Sequence, residues 1–389
     1  MTDHLTREEL LRRGAAGASI LTIPGLLAAC GGSSSSQSAG GTTTTGKEVP
    51  HNIHFSNWTL YLDINDKTKT YPSLVKFEKR YGIKVRYTED INDNPSFFAK
   101  VQPQLSRGQS TGRDIIVMTD NSPYPALLVE KGWVEKLDKA AIPNIKNLRP
   151  SQRHPAWDPH REYSLPWQSG MTGIASNTEL TGKPLTSMDE LLENSKYKGR
   201  VTLLNEMADT MTPVILANGD DPAKVTDQVF NAALKRIKKA VDSGQIRQFT
   251  GNDYSGPLAR GDLAAAVAWS GDVVQLNLSN PHLVWNVPDA GGEIWTDNMM
   301  IPKGGDVYTA SLLMNWYYRP DIAAQVAEYV NYISPVEGAK EALEKTDPKA
   351  ANNPLIFPPD ATLEKVHVFE PSQLNNPDYL NKWNAVVAA

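Results

Sequence analysis

The stretch 52–132 opens with Asn52-Ile53-His54-Phe55-Ser56, continues through Ile83-Lys84-Val85-Arg86-Tyr87-Thr88, and reaches Asp114-Ile115-Ile116-Val117-Met118. These three runs are short, apolar or alternating, and rich in β-branched and aromatic residues, so each reads as a strand. Between and after them, 71–81, 95–108 and 124–131 carry helical spacing, the last stopping at Gly132. A β-α-β-α-β-α order predicts a mostly parallel sheet covered by helices. Such sheets bind ligands beyond the carboxyl ends of their strands, where loops meet helix starts.

Downstream, 200–204, 263–269 and 283–287 read as strands, and the turn Gly261-Asp262 precedes the second of them. Helical patterns occupy part of 222–243 and the segments 322–332 and 337–344. No repeat of solenoid length is present. Asp-Ile-Asn-Asp occurs at 63–66 and 90–93, without the glycine or terminal glutamate of a calcium loop, and reads as loop chemistry.

Upstream, Leu10-Leu11-Arg12-Arg13-Gly14 leads into a short apolar run that ends in Leu27-Ala28-Ala29-Cys30-Gly31. A charged region, a brief apolar core and small residues before a cleavage point predict an export signal over residues 1–30. The run is too short for a comfortable transmembrane helix, which needs about 20 apolar residues. Leu-Ala-Ala-Cys resembles the lipobox of bacterial lipoproteins, which implies lipidation of Cys30, and Arg12-Arg13 resembles a twin-arginine signal. Residues 31–50 begin with a run of Gly, Ser and Thr that cannot build a core, and they read as a flexible tether. Cys30 is the single cysteine, so no intrachain disulfide forms.

The 389 residues suffice for two lobes with cores of their own. A net charge of −5 leaves no basic surplus to neutralise phosphates, and this excludes a nucleic-acid binder. The leader does not change that balance, because Arg7, Arg12 and Arg13 offset Asp3, Glu8 and Glu9. There is no Gly-x-Ser-x-Gly, His-Glu-x-x-His or phosphate-loop pattern, and the seven histidines lack metal spacing, so no enzyme is expected.

Several blocks, in order, carry a family likeness. They are Asn57-Trp58-Thr59-x-Tyr61, Phe77-Glu78-Lys79-Arg80-Tyr81-Gly82-Ile83-Lys84-Val85, Asp114-Ile115-Ile116-Val117 and Gly132-Trp133-Val134-Glu135-Lys136-Leu137-Asp138. Tyr197-Lys198-Gly199, Val267-Ala268-Trp269-Ser270-Gly271, Gly292-Glu293-Ile294-Trp295-Thr296-Asp297 and Arg319-Pro320-Asp321 follow. Together they resemble the spermidine/putrescine-binding proteins of bacterial polyamine transporters, in a lipoprotein form. The resemblance spans about 51–335 and implies a two-lobed α/β periplasmic-binding-protein fold of type 2, with two hinge crossovers. It places lobe one at 51–170 plus 296–340 and lobe two at 171–295 plus 341–389.

A polyamine asks for carboxylates at its ammonium groups and aromatic faces along its methylenes. The resemblance assigns such contacts to Trp58, Thr59, Tyr61, Trp269, Trp295, Asp297 and Tyr332. Trp295 and Asp297 lie two apart in extended chain and so share a face. Glu206 and Asp209 match a pair of family carboxylates in swapped order, although acidic residues there also suit a helix start. Asp272, Asp120 and Tyr124 complete the candidate set, and Gln168-Ser169 adds polarity at the first crossover. The implied function is capture of a polyamine and delivery to the permease of an ABC uptake transporter, outside the cell membrane on a lipid anchor. The chain is expected to act as a monomer, with no cofactor or metal. A second reading keeps the scaffold for another organic cation, a sugar or a ferric ion. Iron would use the adjacent Tyr317-Tyr318, although packing suits that pair better. An exported hydrolase using Glu206 and Asp209 is a third.

Overall fold

The computed structural model describes residues 52–389. The predicted leader, the tether and Cys30 lie outside the described residues. Among the described residues, no helix is long and apolar enough to cross a membrane.

The first half follows the predicted order: β1 (Ile53–Trp58), α1 (Pro72–Tyr81), β2 (Val85–Ile91), α2 (Asn94–Leu105), β3 (Ile116–Thr119) and α3 (Tyr124–Glu130). Local chemistry sets the boundaries. Proline opens α1, and Gly82 ends it in a left-handed turn (φ 73°) whose N–H returns to the Glu78 carbonyl. Asp93, from the second Asp-Ile-Asn-Asp, caps α2 by accepting from the Ser96 N–H at 2.7 Å. β1 pairs in parallel with β2, and Phe55 bridges Ile115 beside β3, also in parallel.

The second lobe is built from β5 (Val201–Leu204), α4 (Met207–Ala217), α5 (Asp227–Asp242), β6 (Ile246–Thr250), β7 (Ala265–Trp269) and α6 (Ser270–Asn277). Its central strand, β5, pairs in parallel with both β6 and β7. After β8 (Leu283–Asn286) and β9 (Gly292–Met300) come α7 (Val307–Tyr317), α8 (Pro320–Val330), α9 (Ala339–Leu343), β10 (Val366–His367) and α10 (Pro377–Val387). α10 lies on the second lobe, with Tyr379 stacked on Phe230 of α5 at 3.9 Å and the Trp383 indole donating to the Asn205 carbonyl.

Two strands join the lobes. β4 (Ser164–Asn177) is buried along its whole length of 14 residues. Its start pairs antiparallel with Asn298–Met300 of β9, next to β3; after a register shift its remainder pairs with the first half of β9, with β7 and with β8. β4 and β9 therefore run through one eight-stranded sheet, with β3 beside them at one end and β7, β5 and β6 at the other. The parallel pairing expected of β-α-β units holds within each lobe, while every antiparallel pair of strands includes β4 or β9. What the sequence suggested as an extended crossover at 295–297 is the middle of a nine-residue strand.

Candidate functional site

The carboxyl ends of the strands converge where the lobes meet. β1 ends at Trp58, and the turn after it places Leu60 at a positive φ of 58°. β7 ends at Trp269, with Asp272 in the first turn of α6. β9 supplies Trp295 and Asp297 from alternate positions of one face. α8 ends in a left-handed Asn331, and Tyr332 follows it in a short segment bridged to Ser169 of β4. Together with Thr59, Tyr61 and Asp209, these side chains line a cleft of about 340 Å³, its opening to solvent included. Asn94, Thr119 and Asn252 complete its lining.

The aromatic rings form a continuous wall. Trp58 meets Trp269 edge-on at 5.7 Å, Trp269 meets Trp295 at 6.3 Å, Trp295 meets Tyr332 at 5.7 Å, and Tyr332 meets Tyr61 at 5.0 Å. Two glycines make room for it: a Cβ on Gly170 would lie 2.5 Å from the Trp295 ring, and one on Gly271 would collide with Tyr332. The Arg and Lys side chains seen over aromatic rings all lie elsewhere, over Phe97, Trp316 and other rings outside the cleft.

Carboxylates stand among these rings. Asp297 is 3 % exposed and accepts from the Tyr61 hydroxyl at 2.6 Å and the Thr119 hydroxyl at 2.7 Å. Burial pushes it up to about 7 against the pull of those two bonds. Asp209 accepts from the Thr172 hydroxyl, from the Trp269 indole at 3.0 Å and from the Asn121 amide at 3.1 Å; burial raises it to about 6. Asp272 accepts from Asn252, Tyr254 and Tyr332 at 2.8–2.9 Å, and burial raises it as well. No salt bridge among the described residues involves Asp209, Asp272 or Asp297. The partners of these carboxylates are neutral donors, so the cleft is rich in negative potential and poor in counter-charge.

Three candidates take other positions. Glu206 sits at the N-cap of α4 but makes no cap bond; it reaches across to the Asn94 N–H (2.7 Å) and side-chain amide (2.9 Å). Its burial, and next the charge of Asp209, raise it to about 8. Asp120 lies beside β9 and accepts from the Thr296 N–H, where it feels the Arg161 charge. Tyr124, at the start of α3, stacks on Phe98 at 4.6 Å. None of the three lines the open space. Tyr317 and Tyr318 are also outside it: the Tyr317 hydroxyl shares a bond with Ser73, and Tyr318 donates to the Pro166 carbonyl.

Residues 73–358, well over half of the chain, match the model of the bacterial extracellular solute-binding proteins. The chain belongs to that family. As a solute-binding protein it is similar to the spermidine/putrescine-binding periplasmic protein of Escherichia coli strain K12, at 27 % identity over 81 % of this chain and 85 % of the relative. It is also 25 % identical to the putrescine-binding periplasmic protein SpuD of Pseudomonas aeruginosa strain UCBPP-PA14, over 82 % of this chain and 86 % of that one. The crystal structure of the Tp0655 lipoprotein of Treponema pallidum superposes with a TM-score of 0.70 at 22 % identity, covering 87 % of this chain and 99 % of the other. That likeness fixes the two-lobed fold.

Sequence reading missed Asn94 and Thr119, which hold each other in two hydrogen bonds of 2.9 and 3.0 Å, as well as Asn252 and Glu293. Asn94 and Asn252 carry no motif, since their place in the binding protein arises only when the lobes meet. Glu293 was legible, because it continues the alternation of Trp295 and Asp297 by one step. At the first crossover the Ser169 hydroxyl meets that of Thr296 and accepts from the Gln152 amide, while Gln168 Oε1 has no protein partner.

Proposed function

We propose that this protein captures a linear polyamine, of the putrescine or spermidine kind, between its lobes and hands it to the permease of an ABC uptake transporter. The single observation that carries the reading is the pairing of a continuous ring wall with Asp209, Asp272 and Asp297, none of which has a protein cation beside it. A cation over an indole gains roughly 0.5–2 kcal/mol, most when desolvated. Ammonium–carboxylate hydrogen bonds add more than neutral ones. Methylenes between ammonium groups would lie along Trp58, Trp269 and Trp295. A neutral sugar would stack on the same rings but leave the carboxylates uncompensated. The relatives' names support the polyamine over the other cations.

In this reading Trp58, Thr59, Tyr61, Asp209, Trp269, Asp272, Trp295, Asp297 and Tyr332 touch the ligand, with Asn94, Thr119 and Asn252 beside them. Glu206 acts through Asn94 as a clasp between lobes. The lobes comprise 51–170 with 296–340 and 171–295 with 341–389; the helix Ala339–Leu343 still leans on α8, and the last segment settles on α5. Cys30 carries lipid after export on the leader, by the twin-arginine route, and residues 31–50 tether a monomer to the outer face of the membrane.

A thermal-shift screen of the full chain against putrescine, spermidine, spermine, maltose and ferric citrate tests this. The expected result is a rise in Tm with the amines alone. A shift with maltose or iron and none with any amine would replace the ligand class. Mass spectrometry of the membrane fraction tests the anchor, and an unmodified N-terminus upstream of Cys30 would refute it.

A further inference from the structure

Behind Asp209 lies a carboxylate the cleft does not otherwise account for. Glu293 is 0 % exposed and stands on β9 opposite Thr172 of β4, on the sheet face that carries Trp295 and Asp297. One of its oxygens, Oε2, is 3.4 Å from the Asn121 amide nitrogen, which also donates to Asp209. The other, Oε1, has no partner, and neither has Asn121 Oδ1 on a side chain that is 4 % exposed. The Asn121 amide is oriented by its donation to two carboxylates, which leaves its carbonyl free to accept. No salt bridge among the described residues reaches Glu293. Burial, and next the charge of Asp209, hold it well above the usual carboxylate range.

Buried acceptors without donors are costly and rare in native proteins. Here Glu293 Oε1 and Asn121 Oδ1 lie just behind the cleft, in a cluster whose one member lining the open space is Asp209. The same pattern recurs at Asp272: the Asn252 amide donates to the carboxylate while its Oδ1 stays unpaired. A primary ammonium brings three N–H donors, and a quaternary ammonium brings none. The ring wall alone would accept either, because a quaternary cation is a good partner for aromatic faces.

We propose that Glu293, with Asn121 and Asp209, forms a site for a primary ammonium group and thereby determines selectivity for N–H-bearing over quaternary cations. The inference rests on the polyamine reading and names the head group that reading requires. Glu293 Oε1 and Asn121 Oδ1 supply the unpartnered acceptors, and Asp209 is the carboxylate of the cluster that reaches the cleft. Binding an ammonium there lets both carboxylates ionise side by side, which the empty cleft disfavours.

Calorimetry of the full chain with putrescine and with its bis(trimethylammonium) analogue, in the unaltered protein and in Glu293→Gln and Glu293→Met, tests this. In the unaltered protein putrescine binds and the analogue is strongly disfavoured. Each substitution weakens putrescine by roughly tenfold to hundredfold, the loss of one charge-assisted hydrogen bond. The analogue, which loses only charge attraction and no hydrogen bond, is weakened far less, so the selectivity ratio falls. Ligand-free melting stays level or rises, since an unpaired buried carboxylate has gone; a purely structural Glu293 would lower it. Equal loss for both cations, or an unchanged ratio with either variant, overturns the proposal while the polyamine reading stands. No putrescine binding by the unaltered protein overturns both.

Discussion

Asp297 shows how much one side chain does in this cleft. It is reached by Tyr61 and Thr119, both on the first lobe, while the Trp295 indole two residues earlier donates to Thr172. An ammonium beside Asp297 would replace the missing counter-charge without disturbing either bond. Asp297→Asn keeps the shape and removes the charge, so polyamine affinity should fall by roughly tenfold to hundredfold with little change in ligand-free Tm. Unchanged affinity in a titration would remove Asp297 from the site. The glycine seats give a second prediction. Gly271→Ala drives a Cβ into Tyr332, which donates to Asp272 at 2.8 Å. Overpacking of this kind costs about 1–3 kcal/mol, and both Tm and affinity should drop; a variant that melts and binds like the original would show that the ring is free to move. At this scale the sequence was readable where chemistry and spacing coincide, as in Trp295-Thr296-Asp297. It was unreadable where a residue matters only through another lobe, as with Asn94 and its bonds to Glu206, and it misdirected at Tyr124, whose ring packs on Phe98 instead.

The elements that matter most are the two shared strands and the helix start that clasps them. β4 escaped sequence reading because a strand buried on both faces shows no alternation, and Gly170, Gly173 and its serines look like a loop. Its neighbour β9 was read only at its centre. The short β-α-β strands of the first lobe were legible because β-branched runs and turn residues delimit them. Where α2 begins, Asn94 donates twice to Glu206 on the second lobe, and nearby the Asn252 N–H donates to the Asn92 carbonyl at 3.1 Å. These bonds cross from one lobe to the other. Asn94→Ala should therefore speed ligand release by roughly threefold to tenfold, for one lost hydrogen bond between the lobes, with a smaller effect on capture. Stopped-flow tryptophan fluorescence would show it, and an unchanged release rate would mean that the clasp contributes nothing to closure.

For the whole molecule, the buried carboxylates couple stability to pH in an unusual direction. Asp209, Asp297 and Glu206 are raised to about 6, 7 and 8, against values near 4 in an unfolded chain. Between those limits the native state holds more protons than the unfolded state, so ligand-free stability falls as pH rises from about 5 to 8. Carboxylates lowered by partners, such as Asp90 at about 2, are ionised in both states across this window and do not contribute. His54, lowered by burial, opposes the trend with a single group. A bound polyamine favours the ionised carboxylates, so its thermal shift should grow over the same range. Melting curves at pH 5.5 and 8 check both signs, and a ligand-free Tm that climbs with pH would contradict a cleft of carboxylates without counter-charge. The central claim is that these carboxylates await a cation supplied by the ligand. Calorimetric titration of spermidine into the full chain, in two pH 7 buffers of different ionisation enthalpy, tests it most directly. The expected result is one binding site and a buffer-dependent heat that reports protons leaving the cleft as the amine enters; a folded protein that gives no heat, or heat identical in both buffers, would show that the carboxylates do not await a cation.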